Sequence, residues 1–79
     1  MKIYNYKGRK NLSGVRIKEA RLKQGISQSE LAARLQVNGV IIERDSLSRI
    51  EGGRRFVADY ELVVLARILG VSLDWLTQD

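Results

Sequence analysis

The sequence predicts an all-α domain of five short helices. Three observations carry that expectation: a serine start signal that recurs three times, glycines standing where helices would stop, and the absence of proline. Ser13, Ser27 and Ser72 each stand where an N-cap hydroxyl can accept from an otherwise unpaired backbone N–H. Each has an apolar residue just before it and another four positions after: Leu12 with Ile17, Ile26 with Leu31, Val71 with Leu76. That pairing is the hydrophobic staple, which sets the angle at which the chain enters a helix. Ser27 also has Glu30 three residues on, which completes a capping box.

The elements follow in order. The first helix is expected over about residues 13–24, stopping at Gly25. The second runs from Ser27 to about Leu35, with Leu31, Ala32 and Leu35 on one face. The third begins near Arg44 and ends at Gly52-Gly53, with Leu47 and Ile50 pointing inward. The fourth starts around Asp59 and ends at Gly70. Its Leu62, Leu65, Ala66 and Leu69 form a stripe, and Val63, Val64 and Ile68 make it apolar on most sides, which places it at the centre of a bundle. The fifth, over residues 72–77, is short and carries Trp75. Residues 1–12 read as a basic arm and residues 13–79 as the domain. Tyr4 and Tyr6 in the arm are expected to belong to a loosely packed terminus, and Trp75 to pack against the first and fourth helices.

Composition limits the function classes. With 79 residues there is room for one small domain. No cysteine means no disulfide and no thiolate site, which suits a reducing cytosol. No histidine removes the usual general base and the commonest metal ligand. The nine carboxylates are scattered and no glycine-rich phosphate loop is present, so an enzymatic reading, a cofactor and a metal site all lack support. No apolar run approaches membrane-spanning length and no secretory signal opens the chain, so a cytoplasmic protein is expected.

Charge is unevenly placed. Residues 1–11 carry Lys2, Lys7, Arg9 and Lys10 with no acid, whereas residues 56–79 carry Arg67 against Asp59, Glu61, Asp74 and Asp79. The whole chain has a net charge of +5, so its first 55 residues form a basic surface that the tail opposes. A polyanion-binding face needs that asymmetry.

The segment from Ser27 to Gly53 reads as a helix-turn-helix: a capped amphipathic helix, a connection, and a second helix ending in Gly-Gly and Arg-Arg. With "IKEARLKQGISQSELAARL", "SLSRIEGGRR" and "LARILGVSLDWL" in that order, the chain resembles the Cro and lambda-repressor (Xre-type) family over roughly residues 13–77. The resemblance implies a five-helix lambda-repressor-like domain binding double-stranded DNA. It implies that Gln28 touches a phosphate, that Arg21 and Glu51 form a partly buried ion pair, and that Arg54 and Arg55 contact the backbone from the loop after the third helix. The chain departs from the family pattern between the second and third helices. There Gln36 stands in place of a turn glycine, and the connection is extended by about five residues. Asn38-Gly39 is the expected point of reversal, and Val40, Ile41 and Ile42 need burial as an extended lead-in. The third helix could begin at Glu43, Arg44 or Asp45.

On that helix the face opposite Leu47 and Ile50 holds Arg44, Asp45, Ser48 and Arg49, with Ser46 at its edge as a backbone contact. Arg can donate twice to guanine O6 and N7, Asp can accept from cytosine N4, and Ser can serve either way. The arm residues Lys7, Arg9 and Lys10 are weaker phosphate candidates. Two turns of helix read few base pairs, so the expectation is a homodimer on a two-fold operator, with Phe56, Val57, Trp75 and Leu76 as candidates for the seam. Repression by occlusion is the expected outcome. The alternatives are an antitoxin that binds a protein toxin, and an interaction module whose basic face meets an acidic protein. No small-molecule site is evident.

Overall fold

A computed structural model describes residues 5–79, in which five helices follow one another: α1 (Gly14–Lys23), α2 (Gln28–Val37), α3 (Arg44–Glu51), α4 (Asp59–Leu69) and α5 (Leu73–Leu76). Among those residues the fold is all-helical, and the single β-type contact is an isolated bridge between Tyr6 and Arg9.

Two of the three serine starts form as the sequence predicts. Ser27 Oγ accepts from the Glu30 N–H at 3.0 Å, and Ser72 Oγ from the Trp75 N–H at 3.0 Å. The capping box is only half made, because the Glu30 carboxylate accepts from Arg34 Nη2 at 2.9 Å, one turn on. Ser13 is the exception. It sits in helical φ/ψ and its side chain caps nothing. The Gly14 N–H is taken by Asn11 Oδ1 at 2.8 Å instead, so Asn11 starts the helix. α4 has Ala58 at its N-cap, and Glu61 reaches back to accept from the Ala58 N–H at 3.0 Å.

The helix stops share one device. After the C-caps of α1, α2 and α3, and at the C-cap of α4, stands a glycine whose N–H and the next one bond back to carbonyls of the last turn. That is the Schellman arrangement. At the end of α2, Gly39 N–H reaches Gln36 O and Val40 N–H reaches Leu35 O, both at 3.0 Å, with Gly39 at φ +82°. Asn38-Gly39 is therefore the reversal. The extended lead-in then alternates: Val40 and Ile42 enter the core while Ile41 is 68% exposed. The expectation that all three are buried fails because side chains on an extended segment point to opposite faces in turn.

The core draws on every helix. Ile17 and Ala20 of α1 meet Leu31 and Leu35 of α2, Leu47 and Ile50 of α3, Leu65, Ala66 and Leu69 of α4, and Leu76 of α5. α3 packs on α1 and α2, and α4 packs on α1, α2 and α5. α4 is not enclosed on all sides, however. Leu62, Val63, Val64 and Ile68 stay half-buried, so it forms a wall of the bundle. Its apolar surplus is left on the rim, and the charged Glu61 is buried in its first turn. Leu76 is fully buried, which removes it from the expected dimer seam. Trp75 is half-buried, with the Arg16 guanidinium 4.9 Å above its ring.

The N-terminal segment departs most from expectation. Residues 6–9 close a two-residue turn, with Tyr6 and Arg9 exchanging backbone hydrogen bonds and both Lys7 (φ +51°) and Gly8 (φ +80°) in the left-handed region. That is a primed hairpin turn, the type whose twist suits antiparallel chain. Beyond it Lys10 N–H donates to Gly53 O at 2.9 Å, and Asn11 Nδ2 donates to Ile50 O at 3.0 Å and Arg55 O at 2.7 Å. Tyr6 is thus part of a docked turn, not a loose terminus; Tyr4 lies outside the described residues.

Candidate nucleic-acid interface

The geometry of α3 follows from its two anchors. Leu47 and Ile50 are both 0% exposed, so one stripe of the helix is locked into the bundle. The opposite face carries Arg44, Asp45 and Arg49 into solvent, with Ser46 and Ser48 half-buried at its margins. The helix begins at Arg44, with Glu43 as an N-cap that makes no side-chain bond. Arg44 Nη2 donates to Asp45 Oδ1 at 3.0 Å, but both side chains are exposed and such a pair is worth about 0–1 kcal/mol. An external acceptor can displace it at little cost. Arg49 has no ion-pair partner among the described residues.

A third anchor is ionic. Arg21 of α1 donates Nε to Glu51 Oε2 at 2.7 Å and Nη2 to Oε1 at 3.0 Å, and its Nη1 reaches Ile26 O at 2.9 Å. Both side chains are almost wholly buried, deeper than the resemblance implies. Gln28, the first residue of α2, donates Nε2 to Glu51 Oε1 at 3.0 Å. The pair therefore links α1, α2 and the last residue of α3, and the second N–H of the Gln28 amide is left for an outside acceptor. An open groove of about 400 Å³ at the start of α2 is lined by Arg21, Ser27, Gln28, Ser29 and Arg44. It brings the α2 start and the α3 start to one rim. Ser29 had no role in the sequence reading, since only the fold puts it beside Arg44.

The loop after α3 divides its two arginines. Arg54 is exposed and without an ion-pair partner among the described residues. Arg55 turns inward: Nη1 and Nη2 donate to the two Glu61 oxygens at 3.1 Å each, and Nη1 also to Phe56 O at 2.9 Å. Burial alone would raise the Glu61 pKa, but the Arg55 hydrogen bonds, the Ala58 N–H and the Arg55 charge outweigh it and hold the carboxyl below its ordinary value. Lys7 is likewise engaged, with Nζ 2.9 Å from Asp79 Oδ2, while Lys10 is exposed.

An outward polar helix, propped on a partner helix and flanked by free cations, defines the class: a helix-turn-helix protein with the polar face of its second motif helix exposed. The helix-turn-helix family model matches residues 17–76, and the chain belongs to that Cro/C1-type, Xre-like family. It is accordingly a DNA-binding helix-turn-helix regulator. No curated protein and no solved structure matches it significantly. No helix among the described residues is long and apolar enough to cross a membrane.

Proposed function

We propose that the protein is a sequence-specific transcriptional repressor that binds a two-fold operator as a homodimer, with α3 in the major groove. The observation that carries this is the division of α3, with Leu47 and Ile50 locked in the core and Arg44, Asp45 and Arg49 left in water. In this reading Arg44 and Arg49 donate to guanines, Asp45 accepts from cytosine, and Ser48 makes a shorter contact. Gln28, Ser46 and Arg54 hold phosphates. Arg55 contributes less than Arg54 because Glu61 already balances its charge. Repression needs only occlusion of a promoter, and nothing beyond binding.

The dimer seam is best sought at exposed Phe56 and half-buried Val57 and Trp75, with exposed Leu73 two residues before Trp75 on α5. A seam of so few apolar side chains makes a weak dimer that DNA strengthens. Selection of bound duplexes from a random pool tests the proposal. It should return a two-fold sequence with half-sites about 34–36 Å apart, and Arg44→Ala or Arg49→Ala should relax one base position per half-site. A pool without consensus would favour an interaction module or an antitoxin, whose basic face meets a protein partner.

A further inference from the structure

The N-terminal turn is built against the C-terminal end of the recognition helix, and this connection has a consequence for DNA reading. Helix carbonyls in the last turn lack intrahelical donors. In α3 and its exit loop they are met by residues 9–11: Arg9 Nη2 on Glu51 O at 3.1 Å, Asn11 Nδ2 on Ile50 O and Arg55 O, and Lys10 N–H on Gly53 O. The Arg9 guanidinium lies flat against Gly53, where a Cβ would stand 2.5 Å from Arg9 Cζ, and its Nε is buried without a partner among the described residues. A cation at this place also suits the negative end of the helix dipole. Asn11 works in both directions, since its Oδ1 starts α1 while its Nδ2 holds α3.

We infer that Arg9 and Asn11 are positioning residues for DNA recognition, holding the axial setting of α3 and the path of the Gly53–Arg55 loop without touching DNA. Arg9 is a basic residue in a basic arm, yet its charge is directed at the protein's own Glu51 carbonyl. The exposed Arg49 precedes the tied segment and the exposed Arg54 lies within it, so a shift of the α3 end would misplace both at once. Contacts that depend on bidentate geometry tolerate little displacement. Non-specific attraction to phosphates depends on the cations that contact them, Arg9 not being one, and hardly senses such a shift.

The inference rests on the reading of α3 as a base-reading helix, and its test separates the two. Affinities of full-length wild type, Arg9→Ala, Arg9→Lys and Asn11→Asp are measured by anisotropy. The probes are the duplex that wild type selects and a scrambled duplex of equal length, each over a salt series, with circular-dichroism melts alongside. Asn11→Asp keeps the acceptor for Gly14 N–H but cannot donate to α3. The expected result is a loss of about tenfold on the selected duplex for Arg9→Ala and Asn11→Asp, with little change on the scrambled one and an unaltered salt slope. Arg9→Lys should fall between, keeping the charge but losing the flat stack. A slope reduced by about one for Arg9→Ala, with equal losses on both duplexes, would mean direct phosphate contact and overturn the inference. So would a lower melting temperature with an unchanged ratio of the two affinities. Wild type failing to prefer any duplex overturns the base-reading proposal as well, and that outcome is seen before any variant is compared.

Discussion

Buried charge is concentrated in two pairs, and they do different work. Arg21 and Glu51, with Gln28, tie α1, α2 and α3 together, and truncating either leaves the other charged in a buried site. Glu51→Ala should cost about 3–5 kcal/mol, which a denaturant titration would register as a shifted midpoint at unchanged slope. The second pair, Arg55 and Glu61, carries a pH signature. The folded Glu61 carboxyl titrates below its unfolded value, so its stabilising contribution is present above the unfolded pKa and is lost as pH falls through the folded one. Melting temperature plotted against pH should therefore fall on the acid side more gently in Glu61→Gln than in the wild type. Parallel acid limbs would refute the assignment. Sequence reading anticipated the first pair only through family resemblance. It missed the second because nothing in "RRFVADYE" says that Arg55 folds back six residues to Glu61.

At the scale of the element, caps and stops differ in how visible they are. Ser27 has the hydroxyl, the spacing and the staple, and it caps; Ser13 has them too and does not, because Asn11 already fills the place. Ser27→Ala should cost about 1 kcal/mol while Ser13→Ala removes no cap, a contrast that paired thermal melts would resolve. Two glycines make a second contrast. Gly39 and Gly53 both have positive φ, but a Cβ at Gly39 meets nothing within 4 Å, whereas one at Gly53 strikes the Arg9 guanidinium. Gly39→Ala should cost about 1–2 kcal/mol from backbone strain alone. Gly53→Ala should cost more and should also weaken specific DNA binding. Equal costs at the two sites would show that Arg9 swings away freely. The glycine stops were legible because left-handed φ is a local property of the chain. The Arg9 contact was not, because it joins residues 44 apart.

Across the whole molecule, Tyr6 and Lys7 are drawn to Asp79. Tyr6 Oη and Lys7 Nζ both donate to Asp79 Oδ2, at 2.7 and 2.9 Å, and thereby close the N-terminal turn over the end of the chain. The Tyr6 hydrogen bond, then that of Lys7, hold the Asp79 carboxyl below its ordinary value, and the same contact raises the Tyr6 hydroxyl. The contact is therefore present above the unfolded Asp pKa and is lost as pH falls through the folded one. On the alkaline side it is present below the unfolded Tyr pKa and is lost as pH rises through the folded one. Amide exchange at Arg9, whose N–H donates to Tyr6 O, should quicken in acid relative to α1 once intrinsic rates are removed. Uniform protection across that range would show that the turn holds without Asp79.

The sequence by itself determined the all-helical class, the helix register, the reversal at Asn38-Gly39 and the identity of the α3 anchors. These follow from periodicity, capping chemistry and backbone preference, all of which act over a few residues. Tertiary structure alone decided how the charges are shared out. It turned Arg55 inward and left Arg54 in water, put Ile41 outside and Leu76 inside, and folded residues 6–11 onto the end of α3. Those outcomes depend on which distant carbonyl or carboxylate meets a side chain, and long-range packing sets that encounter.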